Sequence, residues 1–450
     1  TLSTATPGAE SGGQGAIQIK FTTRQGTNKL NGSVYYYHRN TALNSNYWFT
    51  NRDNRGLDDA TGQLCQHYTT TAGRAFDPKV CQAPKAKALF HQYGARVGGP
   101  IVIPKLFDGR DKAFFFINYE EFRQPNEVAR TRNILSPTTQ AGTFQYVVSG
   151  QTRTVDLLAL ARANNQTAAI DPVVGKLLAD IRSSTASTGG VVQLSDPNLQ
   201  SFSFQNGSAG KRYLPTSRFD FNLTSKHTLS NTYNYHSYLT APDTLNGVDP
   251  AFPGFPNIGG QASNRFSEGL TLRSVLSPTL VNEARVGLTG GTVLFFPEVS
   301  AGQFANQGGF NLGIGAATFT GTAISGATVT TNPQRRNSPV WDYADTVTWT
   351  RGAHNLSFGG QFTQISLFNL NQTVVPGITF GIAPGDPAAA MFNATNFPGA
   401  NATNLTNAQS LYAVLTGRIT AITANAVLDE KTNKYGYLAP RVQRVRQKEF

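Results

Sequence analysis

The connections between extended segments constrain this chain more than any single motif does. Stretches of alternating apolar and polar residues are joined by very short turns near 104–111, 225–227, 277–279 and 351–353. Between these turns come long loops, near 41–90, 124–212, 240–262, 291–338 and 369–426. The two kinds of connection alternate along the chain. In an up-and-down barrel every second connection lies at the same end. The order therefore places short turns at one end and long loops at the other, the asymmetry of membrane-spanning β-barrels. A Greek-key sandwich has no reason to sort its loops this way. A barrel of alternating strands and helices would show a helix between every pair of strands.

The faces of the strands point the same way. In 218–224, Phe219, Phe221 and Leu223 oppose Arg218, Asp220, Asn222 and Thr224. In 281–289, Ala284, Val286 and Leu288 oppose Glu283 and Arg285. Trp341, Tyr343, Val347 and Trp349 share a face, and Leu356, Phe358 and Phe362 form another. One side suits acyl chains and the other suits water, and in lipid every backbone polar group must pair within the protein, so the strands must close on neighbours. Asp345 falls on the apolar face and implies either a rim position or a bulge. Glu120 and Glu121 are adjacent in a strand and so point to opposite faces, one to the lumen and one to the lipid rim.

Composition agrees. Of 450 residues only 39% are hydrophobic and 14% charged, too few of the first for a helical membrane protein and too few of the second for a typical cytosolic one. No run of 18 apolar residues exists, so a transmembrane helix is not expected, whereas a spanning strand needs only about 9–11 residues. The long excursion at 124–212 holds two helical patterns, 155–163 and 171–181, the second opened by Asp171-Pro172 as N-cap and first-turn proline. It is too short to bury a core of its own and is expected to lie on the barrel rim. A third helical piece is expected near 408–415.

The stretch from Gly13 to Asn40 carries a resemblance. It reads Thr23-Arg24-Gln25-Gly26-Thr27-Asn28, then Gly32-Ser33-Val34-Tyr35-Tyr36-Tyr37 and Arg39-Asn40. This resembles the junction in TonB-dependent outer-membrane receptors where the last plug strand meets the first barrel strand, most closely in the Oar-like group. Tyr93-Gly94, Gly98-Gly99-Pro100-Ile101, Phe114 to Glu120, and the segments 218–224, 277–283 and 349–360 are similar to that group in the same order. The resemblance implies an all-β, partial transmembrane antiparallel barrel, with about 9–10 of an expected 22 strands present. Residues 1–28 would end the plug domain and 29–450 would begin the barrel. Residues Gly26, Thr27, Asn28 and Gly32 would form the plug–barrel junction. The junction lies on the periplasmic side in such proteins, so 32–40 runs outward and the long loops, carrying short helices, are extracellular. The N-terminus, TLSTATPGAE, has no signal-peptide pattern. A signal peptide, most of the plug and further strands are expected outside these 450 residues.

The function implied is ligand binding on the extracellular loops and passage into the periplasm, driven by the inner-membrane proton gradient through the TonB-ExbB-ExbD complex. The site is the bacterial outer membrane, with its lipid and lipopolysaccharide as surroundings and an unknown extracellular ligand as cargo. A passive porin-like or adhesive barrel shares every strand argument, and only residues 8–28 tell against it. A secreted soluble β-rich glycan-binding protein or enzyme is the third reading, and the sorted loops argue against it. No catalytic constellation appears. His38, His67, His91, His227, His236 and His354 have no metal-ligand spacing, no phosphate or dinucleotide fingerprint is present, and no cofactor is expected. Cys65 and Cys81 lie in one polar loop and suit a disulfide in an oxidising compartment, two free thiols being the other reading. The net charge of +12 fits scattered loop and lumen residues or attraction of anionic ligands or lipopolysaccharide. Only the tail, Arg441 to Lys448, clusters basic residues, and no nucleic acid is expected.

Overall fold

The computed structural model describes residues 2–4, 17–19, 22–45, 88–186, 189–256, 259–319, 321–328, 331–429 and 431–449. Its main body is one antiparallel sheet. The wall strands are β1 (Asn31–Arg39), β2 (Phe90–Pro100), β3 (Ala113–Leu135), β4 (Leu199–Tyr213 continuing as Thr216–Asn222), β5 (His227–Ala241), β6 (Gln261–Ser277), β7 (Leu280–Gly290 continuing as Thr292–Phe295), β8 (Gln334–Asn337 continuing as Val340–Arg351), β9 (His354–Asn371) and β10 (Arg441–Glu449). Each strand pairs with the next in the chain. The two-part strands hold their register across the break. Tyr213 faces Glu121 and Thr216 faces Asn118 on the same partner, β3. The outer strands are β1 and β10, and no pairing among the described residues joins them.

Short connections lie at one end. Leu223 donates to the His227 carbonyl across the β4–β5 turn at 2.9 Å. The β6–β7 turn is tightened by a register shift between Val275 and Ser277. The β8–β9 turn uses Gly352 at φ +60°, where a side chain would be strained. The alternation of faces follows the sequence. Phe219, Leu270, Val286, Tyr343 and Phe362 lie outward across adjacent strands, while Arg218, Thr232, Gly269, Gly287 and Asp342 line the other face. Asp345 stays on the outward face with no bulge. Register runs unbroken through it, and the Asn282 amide of β7 donates to its carboxylate at 2.6 Å.

At the other end the structure departs from the expected loop bounds. The segment 124–212 is not loop throughout, because β3 runs on to Leu135 and β4 begins at Leu199, 15 paired residues in the register Leu199↔Leu135 to Tyr213↔Glu121. At 23 residues β3 is about twice the 9–11 that a membrane requires. Beyond the bilayer there is no lipid face, so Gln124 to Asn133 loses the alternation that marks a spanning strand. Pro125 also reads as a breaker, but it sits in unbroken register opposite Ala209 of β4, just past the continuous β2 pairing that ends at Arg123 and before a single bridge from Ala88 to Asn126. In the same way 291–338 gives up its ends to β7 and β8, and 369–426 gives up its start to β9.

The loops form one body. Helices α1 (Pro137–Gln140), α2 (Leu157–Ala163), α3 (Pro172–Ser184) and α4 (Ala402–Thr416) sit at this end. Asp171 caps α3 by accepting from Val173 and Val174 at 3.0 Å, with Pro172 in the first turn. Val174, Leu177, Leu178 and Ile181 of α3 share a single buried core with Phe144, Phe202, Phe252, Phe319, Phe397, Leu411 and Tyr412. These residues come from four different loops and the extended strand ends. The excursion after β3 therefore does not rest singly on a rim. It acquires a core because the other loops supply the remaining walls. Asp171 N–H donates to the Leu415 carbonyl, and Tyr412 Oη donates to the Thr167 carbonyl, both at 2.8 Å.

Candidate functional site

The short-turn end holds the junction. Residues 22–30 carry no regular secondary structure and lie across the polar face of the wall. Gly26 is buried there. A Cβ on it would lie 2.9 Å from the Gly99 carbonyl oxygen and 3.0 Å from the Phe115 carbonyl carbon, both backbone atoms that cannot swing away. Gly98 faces the same contact, its own would-be Cβ 3.7 Å from Gly26 Cα. Glycine on both sides is what lets a crossing segment touch the sheet. Leu30, the residue before β1, lies beside Gly99 as its cross-strand neighbour, in line with the pairing Asn31↔Gly98.

Polar groups hold the segment beside this contact. The Arg218 Nη1 group donates to the Thr23 carbonyl at 2.9 Å, while its Nε and Nη2 donate to Asp220 at 2.9 Å. Asp220 is 1% exposed and also accepts from Ser230 Oγ at 2.7 Å. Asn28 and Asp111 clasp each other: the Asp111 N–H donates to Asn28 Oδ1 at 2.8 Å, and Asn28 Nδ2 donates to the Asp111 carboxylate. The Asn222 amide then donates to the Asp111 carbonyl at 2.8 Å. Thr27 Oγ1 turns back on the Lys29 carbonyl at 3.1 Å. Gly32 is the second residue of β1, where a Cβ would lie 3.0 Å from the Arg96 carbonyl oxygen. The structure thus brings Gly26 and Asn28 onto the wall, gives Thr27 a local turn role, and leaves Gly32 within the sheet. Arg218, Asp220 and Asp111 also belong to the junction. Arg218 and Asp220 read in sequence only as lumen-facing residues. Cys65 and Cys81 lie outside the described residues.

Glu120 and Glu121 take opposite faces. Glu120 accepts from Tyr35 Oη at 2.5 Å and from Gln92 Nε2 at 3.0 Å on the lumen side. Glu121 accepts from Arg123 at 2.5 Å and Tyr119 at 3.2 Å on the outer side. Among the described residues no three His, Cys, Asp or Glu side chains gather as a metal site.

At the loop end a buried ion pair straps the β5–β6 loop to the extended strands. Arg130 of β3 makes two hydrogen bonds to Asp249, at 2.8 and 2.7 Å, and a third to the Thr244 carbonyl at 2.6 Å. Asn206 of β4 donates to Asp249 at 2.6 Å and to the Pro250 carbonyl at 2.9 Å. Asp249 is fully buried. Burial alone would raise its carboxyl pKa, but the hydrogen bonds from Arg130 and Asn206, with the charge of Arg130, hold it below the ordinary carboxylate value. A second pair lies within the last loop, where Arg418 donates to both Asp386 oxygens at 2.6 and 2.7 Å, and Arg418 joins this loop to the β3–β4 connection by donating to Gln166 at 3.0 Å.

A wall with one apolar and one polar face, short turns at one end and a built cap at the other defines an outer-membrane β-barrel. The chain belongs to the outer membrane beta barrel domain family, whose profile matches residues 22–440, and it resides in the bacterial outer membrane. Among solved structures it is similar to the outer membrane transporter YddB from Escherichia coli, at 9% identity and a TM-score of 0.36, over 81% of this chain and 34% of that one. The chain therefore spans about a third of the length of that transporter. Among curated proteins there is no match.

Proposed function

We propose that this chain carries the plug–barrel junction and the first barrel strands of a TonB-dependent receptor of the Oar-like group. In this reading residues 1–28 end the plug and 29–450 belong to the barrel. The cap of fused loops meets an extracellular ligand. The TonB-ExbB-ExbD complex, fed by the proton gradient, pulls on the plug and admits the ligand to the periplasm. The barrel performs no bond chemistry, and no cofactor takes part.

The observation that carries the reading is the contact of 22–30 with the lumen face. Such a contact is required of the end of a plug and is not required of an unplugged pore. The segment is held by a glycine contact, one arginine and one Asn–Asp clasp, a set that can let go without unfolding the wall.

The test is a planar-bilayer recording of the protein purified from outer membranes, alongside capture by the purified periplasmic domain of TonB. The receptor reading expects a closed protein that binds TonB. Steady ion conductance with no TonB capture would establish a passive porin instead.

A further inference from the structure

The net positive charge is not spread evenly over the wall. Near the loop end, three arginines project from the lipid-facing side of adjacent strands. Arg335 of β8 pairs with Leu370 of β9, while Arg444 and Arg446 of β10 pair with Phe368 and Ser366. The outward face of β9 follows from Phe358 and Phe362 and continues in unbroken register through Gln364, Ser366, Phe368 and Leu370. Those partners place all three guanidinium groups outward.

Their height is fixed by an aromatic girdle. Trp341 stacks on Tyr343, and Tyr343 on Phe362, each at 6.1 Å between ring centroids. Aromatic girdles mark the membrane interface in such barrels. Trp341 pairs with Gln364, and Gln364 with Lys448. Arg446 and Arg444 come two and four residues further along, about 5 and 10 Å higher for tilted strands. That is the depth of the outer-leaflet headgroups.

The arginines surround a recess. Arg335, Asn337, Ser366, Phe368, Arg444 and Arg446 line an open cleft of about 520 Å³. Arg335 and Arg444 reach from opposite neighbouring strands to the same Phe368 ring, at 6.0 and 5.8 Å. The ring holds the two cations near each other despite their like charge. No ion pair among the described residues occupies any of the three.

We propose that this cleft binds a phosphate group of an outer-leaflet glycolipid, with the acyl chains lying down the apolar face below it. Forked guanidinium groups match phosphate oxygens in pairs, and the apolar strand face beneath suits only a ligand with a hydrocarbon tail. The proposal rests on the outer-membrane placement and not on the receptor reading, so either can fail alone.

The experiment uses the whole protein in detergent micelles. Binding of bisphosphorylated lipid A is compared with binding of the same lipid after phosphatase treatment, by native mass spectrometry and titration. Each arginine at an anionic interface is worth about fivefold in affinity, so R335Q/R444Q/R446Q should bind roughly a hundredfold more weakly. The lysine variant R335K/R444K/R446K should recover part of the loss. A control at the other end of the wall, K105Q/K226Q/R351Q, should bind as the parent does. Heat-modified mobility on gels confirms that each variant is folded. Equal binding by the triple glutamine variant, equal binding of the dephosphorylated lipid, or full competition by millimolar inorganic phosphate would each overturn the proposal, the last by revealing a site for free anions.

Discussion

Replacing Asp249 by alanine should release one loop of the cap while leaving the wall intact. The substitution removes a fully buried carboxylate and leaves the Arg130 guanidinium, itself 18% exposed, and the Asn206 amide without their acceptor. Breaking a buried pair from one side costs about 3–5 kcal/mol. Arg130 keeps some contact with water and its bond to the Thr244 carbonyl, which places this case near the low end, about 3 kcal/mol. The loop 242–256 is joined to the strands through few other groups: Ser208 to the Pro242 carbonyl, Arg132 to the Ala251 carbonyl, and Phe252 in the core. Local opening should therefore become more frequent by roughly a hundredfold. Hydrogen exchange of the whole protein in micelles reads this directly. Amides of 243–249 should lose protection by about two decades in D249A, and those of 228–235 in β5 should not change. Asp249→Asn keeps the shape and one acceptor and should lie between. A change below about fivefold in D249A, or a uniform loss across cap and wall, would refute the assignment of Arg130–Asp249 as the strap.

The same pair gives a pH dependence. The folded pKa of Asp249 lies below the ordinary 3.8, so the strap is fully present above that value and is lost as pH falls below it through the folded pKa. Exchange at 243–249, corrected for intrinsic rate, should be level from pH 7 to 5 and rise only below 3.8. Gly26→Val should dislodge 22–30, since overpacking against backbone costs about 1–3 kcal/mol, and trypsin should then cut at Arg24 or Lys29 much faster than in the parent. Leu411→Ala should destabilise the cap by about 2–5 kcal/mol, read as early loss of near-ultraviolet circular dichroism with the far-ultraviolet strand signal retained. Asp345→Leu alone should lower the gel-shift temperature by orphaning Asn282, and Asp345→Leu with Asn282→Leu should restore or raise it.

The wall was legible because a spanning strand has a different solvent on each face. Phe219 beside Asp220, or Val286 beside Arg285, records that difference in the sequence. Where both faces are wet the record stops, which is why β3 beyond Arg123 reads as loop although it pairs through to Leu135. The helix capped by Asp171 was equally plain, since a cap is a local device. Its burial was not, because much of the core around Leu177 and Ile181, including Phe319, Phe397 and Leu411, comes from loops well over a hundred residues away. At the junction the glycines announced a tight approach. The clamp by Arg218 on Thr23 could not be read, because one lumen-facing arginine in a strand resembles any other.

The fused cap also changes what an outsider meets at the cell surface. Four stretches of chain, separated by long strands, present one composite exterior. A synthetic peptide copied from a single loop lacks the neighbours that shape it, so antibodies raised against such a peptide should recognise the denatured protein far better than the living cell. Exterior positions such as Val173 or Lys176 can vary without disturbing the core of the cap. Interior ones such as Tyr412, Phe252 and Ile314 change only in concert across distant stretches of the gene. The face this protein shows the world can be repainted residue by residue, but not exchanged one loop at a time.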